Sequence, residues 1–594
     1  MAPTPLDIVV VYNTTNTYGL AKDAENLAQG FAKVWSGLNQ PIHKVRIMDP
    51  REPPIKCDIC IHLEVPYAVW FPWARCNVLM VNPEWYYENW NCYKDNFDYY
   101  IFKTPTTLRK FVDAGMSREE NSLLLHMLGS STYVKESLPK SSNHDDGFVW
   151  FCGGSKNKIE AAKHILPLWK DSYGPLKVYV SEQGGLDISS MKLSPMVSVE
   201  KKHLDEKSWM KALHFYPGHI GISSTEGFGY SMEEASMVRA FKLLNTIDSY
   251  AHYYQNENGC AFLETPCTTK KYANVVDWSG CVIEDLQSQL DKALEAFRAC
   301  DLKALRNENE KAYKEGWKKN FETSLGALFK TLISYLQTKP ALPKFMPPIL
   351  NSADCPSISV VTLVYNRPKF IENAFLNLLS SDYPRDKIEW VVVDDSDATE
   401  SPCNKVIQFI DKFRPGSITY VPLDKKATIG EKRNIGVQRS ANDIILMMDD
   451  DDVFPSTSFR RRVAWLLYSK KTVVCTILPM YDLFKGTSVV SVPPYDLGLS
   501  QRISESTLTF YKSFWEEKKF PEKSISEGEE FLAGRENQVT EIPSFQIIVA
   551  LQHDKNASAR IVPAEAKPGC AWGFEKPHIY FLHSLVGVGI EEVK

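Results

Sequence analysis

The stretch Ile-Ile-Leu-Met-Met-Asp-Asp-Asp-Asp, residues 444–452, is the most informative part of the chain, because five apolar residues run directly into four acidic ones. A short apolar run of this kind is typical of a buried strand. In parallel α/β sheets the carboxyl ends of the strands form the ligand crevice, so the acids are expected at a site. Like charges about 4 Å apart repel by several kcal/mol, and a divalent cation compensates that repulsion. The stretch therefore predicts a site for Mg²⁺ or Mn²⁺, which prefer oxygen ligands.

A β-α-β pattern surrounds this stretch. Apolar runs at 358–364, 390–393 and 418–421 predict further strands, and helices are expected over 370–379 and after residue 429. Strands that alternate with helical segments indicate a parallel α/β sheet.

Two features beside the acidic strand favour a nucleotide site. The strand at 390–393 also ends in acids, Asp394 and Asp395, and the glycine-rich segment 430–436 carries Lys432 and Arg433. An acidic run alone is more often a solvated turn. Acids and cations together at strand ends favour metal-assisted binding of a diphosphate over that simpler interpretation.

The first part of the chain shows two more α/β runs. The first begins with a strand at 6–12 and an amphipathic helix, and the second with a strand at 148–152 after the polar stretch 140–147. A long helix at 305–337 precedes a proline-rich segment, and proline resists continued helix or sheet. We therefore expect four segments: a first lobe at 1–140, a second lobe at 145–338, a linker at 339–356 and a third domain at 357–594.

Composition limits the classes of function. The 594 residues are 44% hydrophobic and 24% charged, with a formal charge of −5, which gives no electrostatic reason to bind nucleic acid. No stretch approaches the roughly 20 apolar residues of a membrane span, and no signal-peptide pattern opens the chain. The 13 cysteines do not form the dense framework of small secreted domains. A cytoplasmic protein without transmembrane segments is expected.

The C-terminal motifs resemble family-2 glycosyltransferases of the GT-A type. The resemblance rests on Val-Val-Thr-Leu-Val-Tyr-Asn-Arg at 360–367, Val-Asp-Asp-Ser at 393–396, the segment 430–436 and the acids at 449–452. It implies that several residues bind a nucleotide sugar and that Asp449 and Asp451 form the D-x-D pair, with Asp451 the metal ligand. The implied nucleotide-sugar residues are Thr362, Tyr365, Arg367, Asp394, Asp395, Lys432, Arg433, Asp449 and Asp450.

A downstream acidic motif, Ser-Glu-Gly-Glu-Glu-Phe at 526–531, resembles the family's source of the general base. An inverting transfer needs a base because the attacking acceptor hydroxyl must lose its proton. The motif leaves the choice between Glu529 and Glu530 open, and a charged helix start is the simpler alternative. His553 is a candidate third metal or phosphate contact, since some relatives use a late histidine in that way.

The N-terminal half contains Glu226 and Glu234, separated by seven residues, in the segment 221–235. Gly227 and Gly229 allow the backbone to approach a ligand closely, and the N-terminus of the following helix can bind a diphosphate without metal. The segment resembles family-4 glycosyltransferases of the GT-B type. That resemblance implies that Glu226 lies near the transferred sugar and that Glu234 holds the ribose hydroxyls.

The opening of the second lobe, 151–158, occupies the place of that family's phosphate clamp. Gly154 is present, but the family's arginine is missing, so Lys156 and Lys158 are its candidate substitutes. In the first lobe Tyr-Gly-Leu at 18–20 is similar to the acceptor-side glycine loop, and a helix-start turn explains it nearly as well.

The two resemblances imply an α/β chain with a two-lobed GT-B half, built of two Rossmann-like domains, followed by a GT-A nucleotide-diphospho-sugar transferase domain. The expected function is transfer of two successive sugars from UDP- or GDP-sugars to an oligosaccharide or glycan. The GT-A half would be inverting and need Mn²⁺ or Mg²⁺, and the GT-B half would be retaining and need no cofactor. Tandem transferases of bacterial polysaccharide clusters and large DNA viruses are similar. Two alternatives stay open: a carbohydrate-binding or scaffold role for the N-terminal half, and a nucleotidyltransferase.

Overall fold

A computed structural model describes residues 5–16, 19–38, 42–129, 138–182, 185–264, 269–270, 278–279, 285–308, 310–343, 346–414, 416–556 and 566–588. The chain forms two compact units. Unit 1 comprises Met1–Asp49, Cys57–Pro66 and Arg75–Pro340, and unit 2 comprises Pro50–Lys56, Tyr67–Ala74 and Ala341–Lys594. Among the helices within the described ranges, none combines the length and the apolar character that crossing a membrane requires.

The first sheet of unit 1 has six strands in the order β2-β1-β3-β4-β5-β6. Its strands are β1 (Leu6–Val11), β2 (Ile42–Met48), β3 (Cys57–Leu63), β4 (Ala74–Met80), β5 (Tyr99–Phe102) and β6 (Ser122–Leu124). β1 pairs in parallel with β2 and β3, and β5 pairs in parallel with β4 and β6. The predicted strand at 6–12 is present, whereas β2 was not predicted.

The second sheet of unit 1 also has six strands, in the order β12-β11-β10-β7-β8-β9, and its pairs are parallel. Its strands are β7 (Phe148–Gly153), β8 (Leu176–Val180), β9 (Val197–Lys201), β10 (Gly218–Gly221), β11 (Phe241–Asn245) and β12 (Cys260–Leu263). Two short strands, β13 (Thr269–Lys270) and β14 (Trp278–Ser279), form an antiparallel pair.

The helices of unit 1 are α1 (Gly19–Leu38), α2 (Pro105–Asp113), α3 (Lys156–Ile165), α4 (Glu206–Phe215), α5 (Tyr230–Met237), α6 (Asp248–Tyr254), α7 (Leu286–Ala299), α8 (Leu302–Asn307) and α9 (Glu310–Thr338). α1 and α9 pack closely, because a Cβ atom on Gly30 would lie 2.5 Å from a methyl carbon of Leu325. The rings of Phe31 and Phe329 extend this contact, with centroids 5.2 Å apart.

Unit 2 is built on a seven-stranded sheet in the order β17-β16-β15-β18-β22-β19-β23. Its strands are β15 (Ile358–Val364), β16 (Ile388–Asp394), β17 (Ser417–Pro422), β18 (Ile444–Met447), β19 (Thr472–Val474), β22 (Thr509–Tyr511) and β23 (Val539–Glu541). The four strands β15 to β18 pair in parallel, and β22 is antiparallel to β18. β15 and β16 are buried along their whole length and rich in β-branched residues, as central parallel strands are.

A four-stranded sheet in the order β24-β20-β21-β25 completes unit 2. Its strands are β20 (Leu478–Asp482), β21 (Thr487–Ser491), β24 (Ala550–Gln552) and β25 (Lys567–Pro568). The helices of this unit are α10 (Ile371–Ser380), α11 (Cys403–Phe413), α12 (Ile429–Arg439), α13 (Ser458–Ser469), α14 (Leu499–Arg502), α15 (Lys512–Glu517), α16 (Glu527–Leu532) and α17 (Lys576–Leu585). The mixed α/β architecture with Rossmann-like parallel sheets agrees with the sequence prediction.

A glycine and a capping box position α12. Thr428 Oγ1 accepts a hydrogen bond from the backbone of Glu431 at 3.2 Å, and the Glu431 carboxylate accepts one from the backbone of Thr428 at 2.7 Å. A Cβ atom on Gly436 would lie 2.4 Å from a Val361 methyl carbon, so only glycine lets α12 approach β15 this closely. The cations of α12 are thereby held against the centre of the sheet.

The core of unit 2 includes a residue from far along the chain. Trp73 ends the 3₁₀ helix Ala68–Trp73, is buried, and packs 6.0 Å from the ring of Trp465 on α13. Its segment lies within the predicted first lobe, 1–140, but belongs to unit 2.

Candidate functional site

The acidic stretch lies at the carboxyl end of β18, where the sequence predicted it. Carboxylate oxygens of Asp449, Asp451 and Asp452 lie within 4.8 Å of one another. Asp451 and Asp452 are buried, and Asp449 is half-buried. Three clustered carboxylates of this kind are a suitable oxygen donor set for a divalent cation.

Arg367 neutralises part of this cluster. Its guanidinium donates to Asp451 Oδ2 and, at 2.6 Å, to Asp450 Oδ1. The pKa of Asp450 is raised to about 7, chiefly by burial and also by Asp451 and Asp449, against the opposing effect of Arg367. Asp450 is therefore paired with Arg367. The carboxylates that could bind a metal are those of Asp449, Asp451 and Asp452.

His553 and Asn556 complete the surroundings of Asp451. His553 Nε2 lies 3.1 Å from Asp451 Oδ2, and Asn556 Nδ2 donates to the same oxygen at 3.3 Å. His553 Nδ1 accepts the backbone N–H of Lys555 at 3.1 Å, which leaves the ring proton on Nε2. In this arrangement His553 donates a hydrogen bond to Asp451, and its role as a metal or phosphate contact stays a prediction.

Asp452 and two asparagines of α10 fix the backbone of the acidic stretch. Asn373 and Asn377 each donate to the Asp452 carbonyl at 2.8 Å. The Asp452 carboxylate accepts from the Leu551 backbone at 3.0 Å and from Ser506 Oγ at 3.2 Å. Both oxygens of Asp452 are thus engaged with the protein, so Asp449 and Asp451 are the better candidates to face a ligand.

The predicted nucleotide residues gather at the ends of β15 and β16. Asp395 accepts hydrogen bonds from Lys432 and, at 3.0 Å, from the Ala427 backbone. Lys432 also donates to the Val364 carbonyl at 2.8 Å, and its pKa is lowered, chiefly by burial. The centroid of the Tyr365 ring lies 4.2 Å from Lys426 Nζ and 5.9 Å from Lys432 Nζ, so an aromatic ring lies beside the lysine that binds Asp395.

Two of the predicted residues have structural partners. Thr362 Oγ1 is buried and accepts the indole N–H of Trp390 at 2.9 Å. Asp394 accepts hydrogen bonds from the Ser396 backbone at 2.9 Å, from Ser401 Oγ at 2.8 Å and from the Tyr420 hydroxyl. These contacts hold the strand ends in place.

The acidic motif on α16 presents its carboxylates in different directions. Glu527 is buried and accepts from Arg433 Nε at 3.1 Å. Glu529 is half-buried and accepts from Gln501 at 3.1 Å. Glu530 is 57% exposed and pairs with Lys523 at 2.5 Å. Of the three, Glu527 is the one that lies beside a predicted nucleotide residue.

In unit 1 the two predicted glutamates each pair with a lysine. Lys158, on α3, lies 3.2 Å from Glu226 Oε1 and also donates to Ser231 Oγ at 3.5 Å. Glu234, on α5, is buried and pairs with Lys22 of α1. The side chain of Lys156 lies outside the described residues, so its predicted role has no structural description.

The glycines of this segment behave as close-approach positions. Gly229 has φ of +86°, and a Cβ atom there would lie 2.5 Å from the Tyr250 ring. Gly227 is buried, and Gly154 follows β7 with Ser181 as its nearest side chain, 3.8 Å from an added Cβ. Gly19, from the predicted acceptor-side loop, also lies near this segment. A Cβ atom added to it would lie 3.7 Å from the Tyr230 ring.

A buried polar network that the sequence did not indicate supports the Lys22 contact. Lys103 donates to Asp23 at 2.8 Å and to Asn82 at 2.7 Å, and the Tyr230 hydroxyl donates to Asp23 at 2.5 Å. Adjacent helix residues Lys22 and Asp23 of α1 therefore both bond to α5. No local motif could have revealed this network, since its partners are 21 to 212 residues apart.

Comparison with known proteins identifies part of unit 2. Residues 359–511 match the family model for Glycosyl transferase family 2. An uncharacterized glycosyltransferase of Haemophilus influenzae is 25% identical over 112 residues, which is 19% of this chain and 43% of that protein. The chain thus spans less than half the length of this curated relative.

Two solved structures show weaker likeness. A mannosyltransferase, PcManGT from Pyrobaculum calidifontis in complex with GDP-Man and Mn²⁺, is 17% identical with a TM-score of 0.29, covering 39% of this chain and 66% of that one. S. aureus TarS 1–349 in complex with UDP-GlcNAc is 19% identical with a TM-score of 0.26, covering 34% and 62%. Nearly all of β15, together with β16 and the acidic stretch, lies within residues 359–511, the region that matches the family model for Glycosyl transferase family 2.

Proposed function

We propose that the chain is a bifunctional glycosyltransferase whose unit 2 transfers a sugar from a UDP- or GDP-sugar to a glycan acceptor. The observation that carries this proposal is the carboxylate cluster Asp449, Asp451 and Asp452 at the end of β18, inside the family 2 match. A nucleotidyltransferase would not need the second glutamate pair of unit 1.

The residues around β18 fit a divalent metal. Asp449 and Asp451 would hold Mn²⁺ or Mg²⁺, since their oxygens lie within 4.8 Å of each other and both carboxylates suit a hard cation. Such an ion supplies charge neutralisation for a leaving diphosphate, an effect typically worth several kcal/mol. His553, by donating to Asp451 Oδ2 at 3.1 Å, orients that carboxylate.

The nucleotide would bind where Tyr365, Asp395 and Lys432 meet. Tyr365 offers an aromatic face for the base. Asp395, whose carboxylate already accepts a hydrogen bond from Lys432, would also accept one from an N–H group of the base. Arg367, which pairs with Asp450 and Asp451, would bind a phosphate of the donor.

The transfer by unit 2 would invert the anomeric centre. A general base is then required to accept the proton of the acceptor hydroxyl as it attacks. Glu529 and Glu530 are the candidates in the sequence motif, and both are accessible on α16.

Unit 1 would act as a metal-independent, retaining GT-B transferase. Glu226 would lie near the sugar, and Glu234 would bind the ribose hydroxyls. The lysines that now pair with them, Lys158 and Lys22, would bind the diphosphate, because phosphate oxygens compete well for ammonium groups.

A second candidate for unit 1 is carbohydrate binding without catalysis. It is favoured by the same ion pairs, since Lys22 and Lys158 are each already neutralised by a glutamate. Calorimetric titration of UDP and GDP in EDTA discriminates the two. Binding that Glu234→Gln weakens supports the transferase, and binding of oligosaccharides alone supports the second candidate.

The test of the main proposal is a panel of UDP- and GDP-sugars with the full chain, measured for binding and for release of nucleoside diphosphate. With Mn²⁺ both units should contribute to turnover, and EDTA should remove only the contribution of unit 2. Equal sensitivity of all turnover to EDTA would contradict the GT-B assignment of unit 1. Absence of binding for every donor would contradict the proposal as a whole.

A further inference from the structure

Unit 2 contains a cavity of about 790 Å³ that is lined by α10, by residues 453–456 and by residues of the segment 572–581. Its lining is rich in aromatic side chains, namely Phe375, Phe454, Phe545, Trp572, Phe574 and Phe581. Small-molecule sites in proteins typically have volumes of about 300–1,000 Å³ and mostly apolar linings with a few polar groups. The size and the lining of this cavity therefore fit a small apolar ligand.

The cavity begins one residue after the acidic stretch. Val453 follows Asp452 and lines the cavity, and its backbone exchanges two hydrogen bonds of 2.8 and 3.0 Å with Val549, another lining residue. The side chain of Asn377, also in the lining, donates to the Asp452 carbonyl at 2.8 Å and accepts the N–H of Phe454 at 3.0 Å. One wall of the cavity and the candidate metal site are therefore parts of the same hydrogen-bonded frame.

The charges of the lining disfavour an anionic ligand. Within the part of the chain that the structure describes, the lining includes the carboxylates of Glu372 and Glu575 but neither lysine nor arginine. Lys405, which is not a lining residue, pairs with Glu372 at 2.5 Å. A phosphate in the cavity would lose its hydration without gaining a cation from these residues. The cavity therefore favours a neutral ligand.

His578 gives the cavity a polar atom that a ligand can satisfy. Its Nε2 is buried and has no hydrogen-bond partner among the described residues. The centroid of its ring lies 4.9 Å from that of Phe574 and 6.4 Å from that of Phe581. Burial lowers the pKa of His578, so its ring is mostly neutral at pH 7, and each nitrogen of a neutral imidazole either donates or accepts. A hydroxyl group on the ligand can satisfy Nε2 in both cases.

We propose that this cavity binds a neutral apolar aglycone of the acceptor of unit 2. The aglycone would lie against the aromatic side chains, and the sugar that it carries would lie toward the acidic stretch. A bare oligosaccharide fits less well, because most of its hydroxyl groups would lose hydrogen bonds against an apolar lining. This inference rests on the proposed glycosyltransferase function. It narrows the acceptor to a glycoside of a neutral apolar group and disfavours one that is linked through phosphate.

The first experiment measures binding to the full chain by calorimetry, without metal or donor, for octyl β-D-glucoside below its micelle concentration, octyl phosphate and glucose. Octyl glucoside should bind, octyl phosphate should bind at least about tenfold more weakly, and glucose should show no binding.

Two matched variants locate the binding. Leu379 lines the cavity and is 39% exposed, whereas Leu467 on α13 is 38% exposed and is not a lining residue. Leu379→Asp should weaken octyl glucoside at least about tenfold, because a carboxylate in the cavity must be desolvated, and Leu467→Asp should not. Leu379→Asn, a milder change, takes its place if circular dichroism shows that Leu379→Asp does not fold.

The second experiment links the cavity to transfer. The readout is Mn²⁺-dependent release of UDP or GDP from UDP-glucose, UDP-GlcNAc and GDP-Man. Octyl glucoside, octyl galactoside and octyl mannoside are each compared with the free sugar at the same low concentration. At least one octyl glycoside should raise the release about tenfold above its free sugar, because the apolar group increases occupancy of the acceptor site. Leu379→Asp should remove this difference, and Leu467→Asp should keep it.

Several outcomes would overturn the inference. These are equal octyl glucoside affinity in Leu379→Asp and Leu467→Asp, tighter binding of octyl phosphate than of octyl glucoside, and no effect of any octyl glycoside on release. A dimer of the unaltered chain that Leu379→Asp dissociates, measured by sedimentation, would instead assign the cavity to a second copy of the chain. If the unaltered chain binds none of the three donors, the proposed function itself fails, a result that the binding of octyl glucoside does not affect.

Discussion

His553 Nε2 lies 3.1 Å from Asp451 Oδ2, although 102 residues separate the two along the chain. The contact joins the segment that follows β24 to the segment that follows β18. It makes the late histidine part of the candidate metal site, either as a ligand or as a hydrogen-bond donor that orients Asp451.

His553→Gln and His553→Leu distinguish these two roles. A glutamine keeps an N–H donor but is a poor metal ligand, so a donor role predicts that His553→Gln retains most Mn²⁺ affinity. His553→Leu should weaken the affinity by about 10- to 100-fold, the usual effect of removing a partner of a metal ligand. The measurement is calorimetric titration of Mn²⁺. His164→Gln, on an exposed face of α3, is the control. Equal losses in both His553 variants would indicate a ligand instead.

Trp73→Ala should destabilise unit 2 although residue 73 lies in the N-terminal part of the sequence. Trp73 is buried against Trp465, and truncation of a buried aromatic residue costs about 3–5 kcal/mol. Urea unfolding followed by fluorescence measures the change. Trp85→Ala is the matched control, because Trp85 is 47% exposed. An unfolding free energy that is the same for both variants would contradict the assignment of Tyr67–Ala74 to unit 2.

Gly528→Ala should destabilise unit 2 by about 1–3 kcal/mol, because the added methyl group would lie 2.6 Å from Glu505 Cγ and forces one of the two to move. The control is Gly316→Ala in α9, where an added Cβ meets nothing within 4 Å. That change should stabilise the helix by about 0.5–1 kcal/mol. Urea unfolding of both variants measures the two effects. A Gly528→Ala variant as stable as the unaltered chain would contradict the close packing of Glu505 on α16.

The parts of unit 2 that follow local rules could be predicted from the sequence. The strand at 358–364 is present with those bounds, and the strand predicted at 444–448 is present as Ile444–Met447. A buried strand that ends in acidic residues can be recognised from the sequence alone, because its pattern depends only on residues that are neighbours along the chain. The gathering of Asp395, Lys432 and Asp451 then follows from parallel topology.

The remaining contacts depend on tertiary packing and leave no local pattern. Trp73 reaches the core of unit 2, Lys22 reaches Glu234 across 212 residues, and Glu505 fills the space above Gly528. An aromatic residue, a helical lysine and a loop glutamate at these positions look like many others in the sequence. Their roles arise from which elements become neighbours, which the sequence periodicity does not specify.

The most direct test of the central proposal is Mn²⁺-dependent binding of UDP- and GDP-sugars to the full chain and to Asp451→Asn, measured by calorimetry with and without EDTA. Asn has nearly the size of Asp but lacks the anionic oxygen, so folding should survive while Mn²⁺-dependent donor binding is lost. Turnover by unit 2 should fall by roughly a thousandfold, which corresponds to about 4 kcal/mol of lost transition-state stabilisation. Normal Mn²⁺-dependent binding and turnover in Asp451→Asn would contradict the proposal that this carboxylate joins the protein to metal and donor.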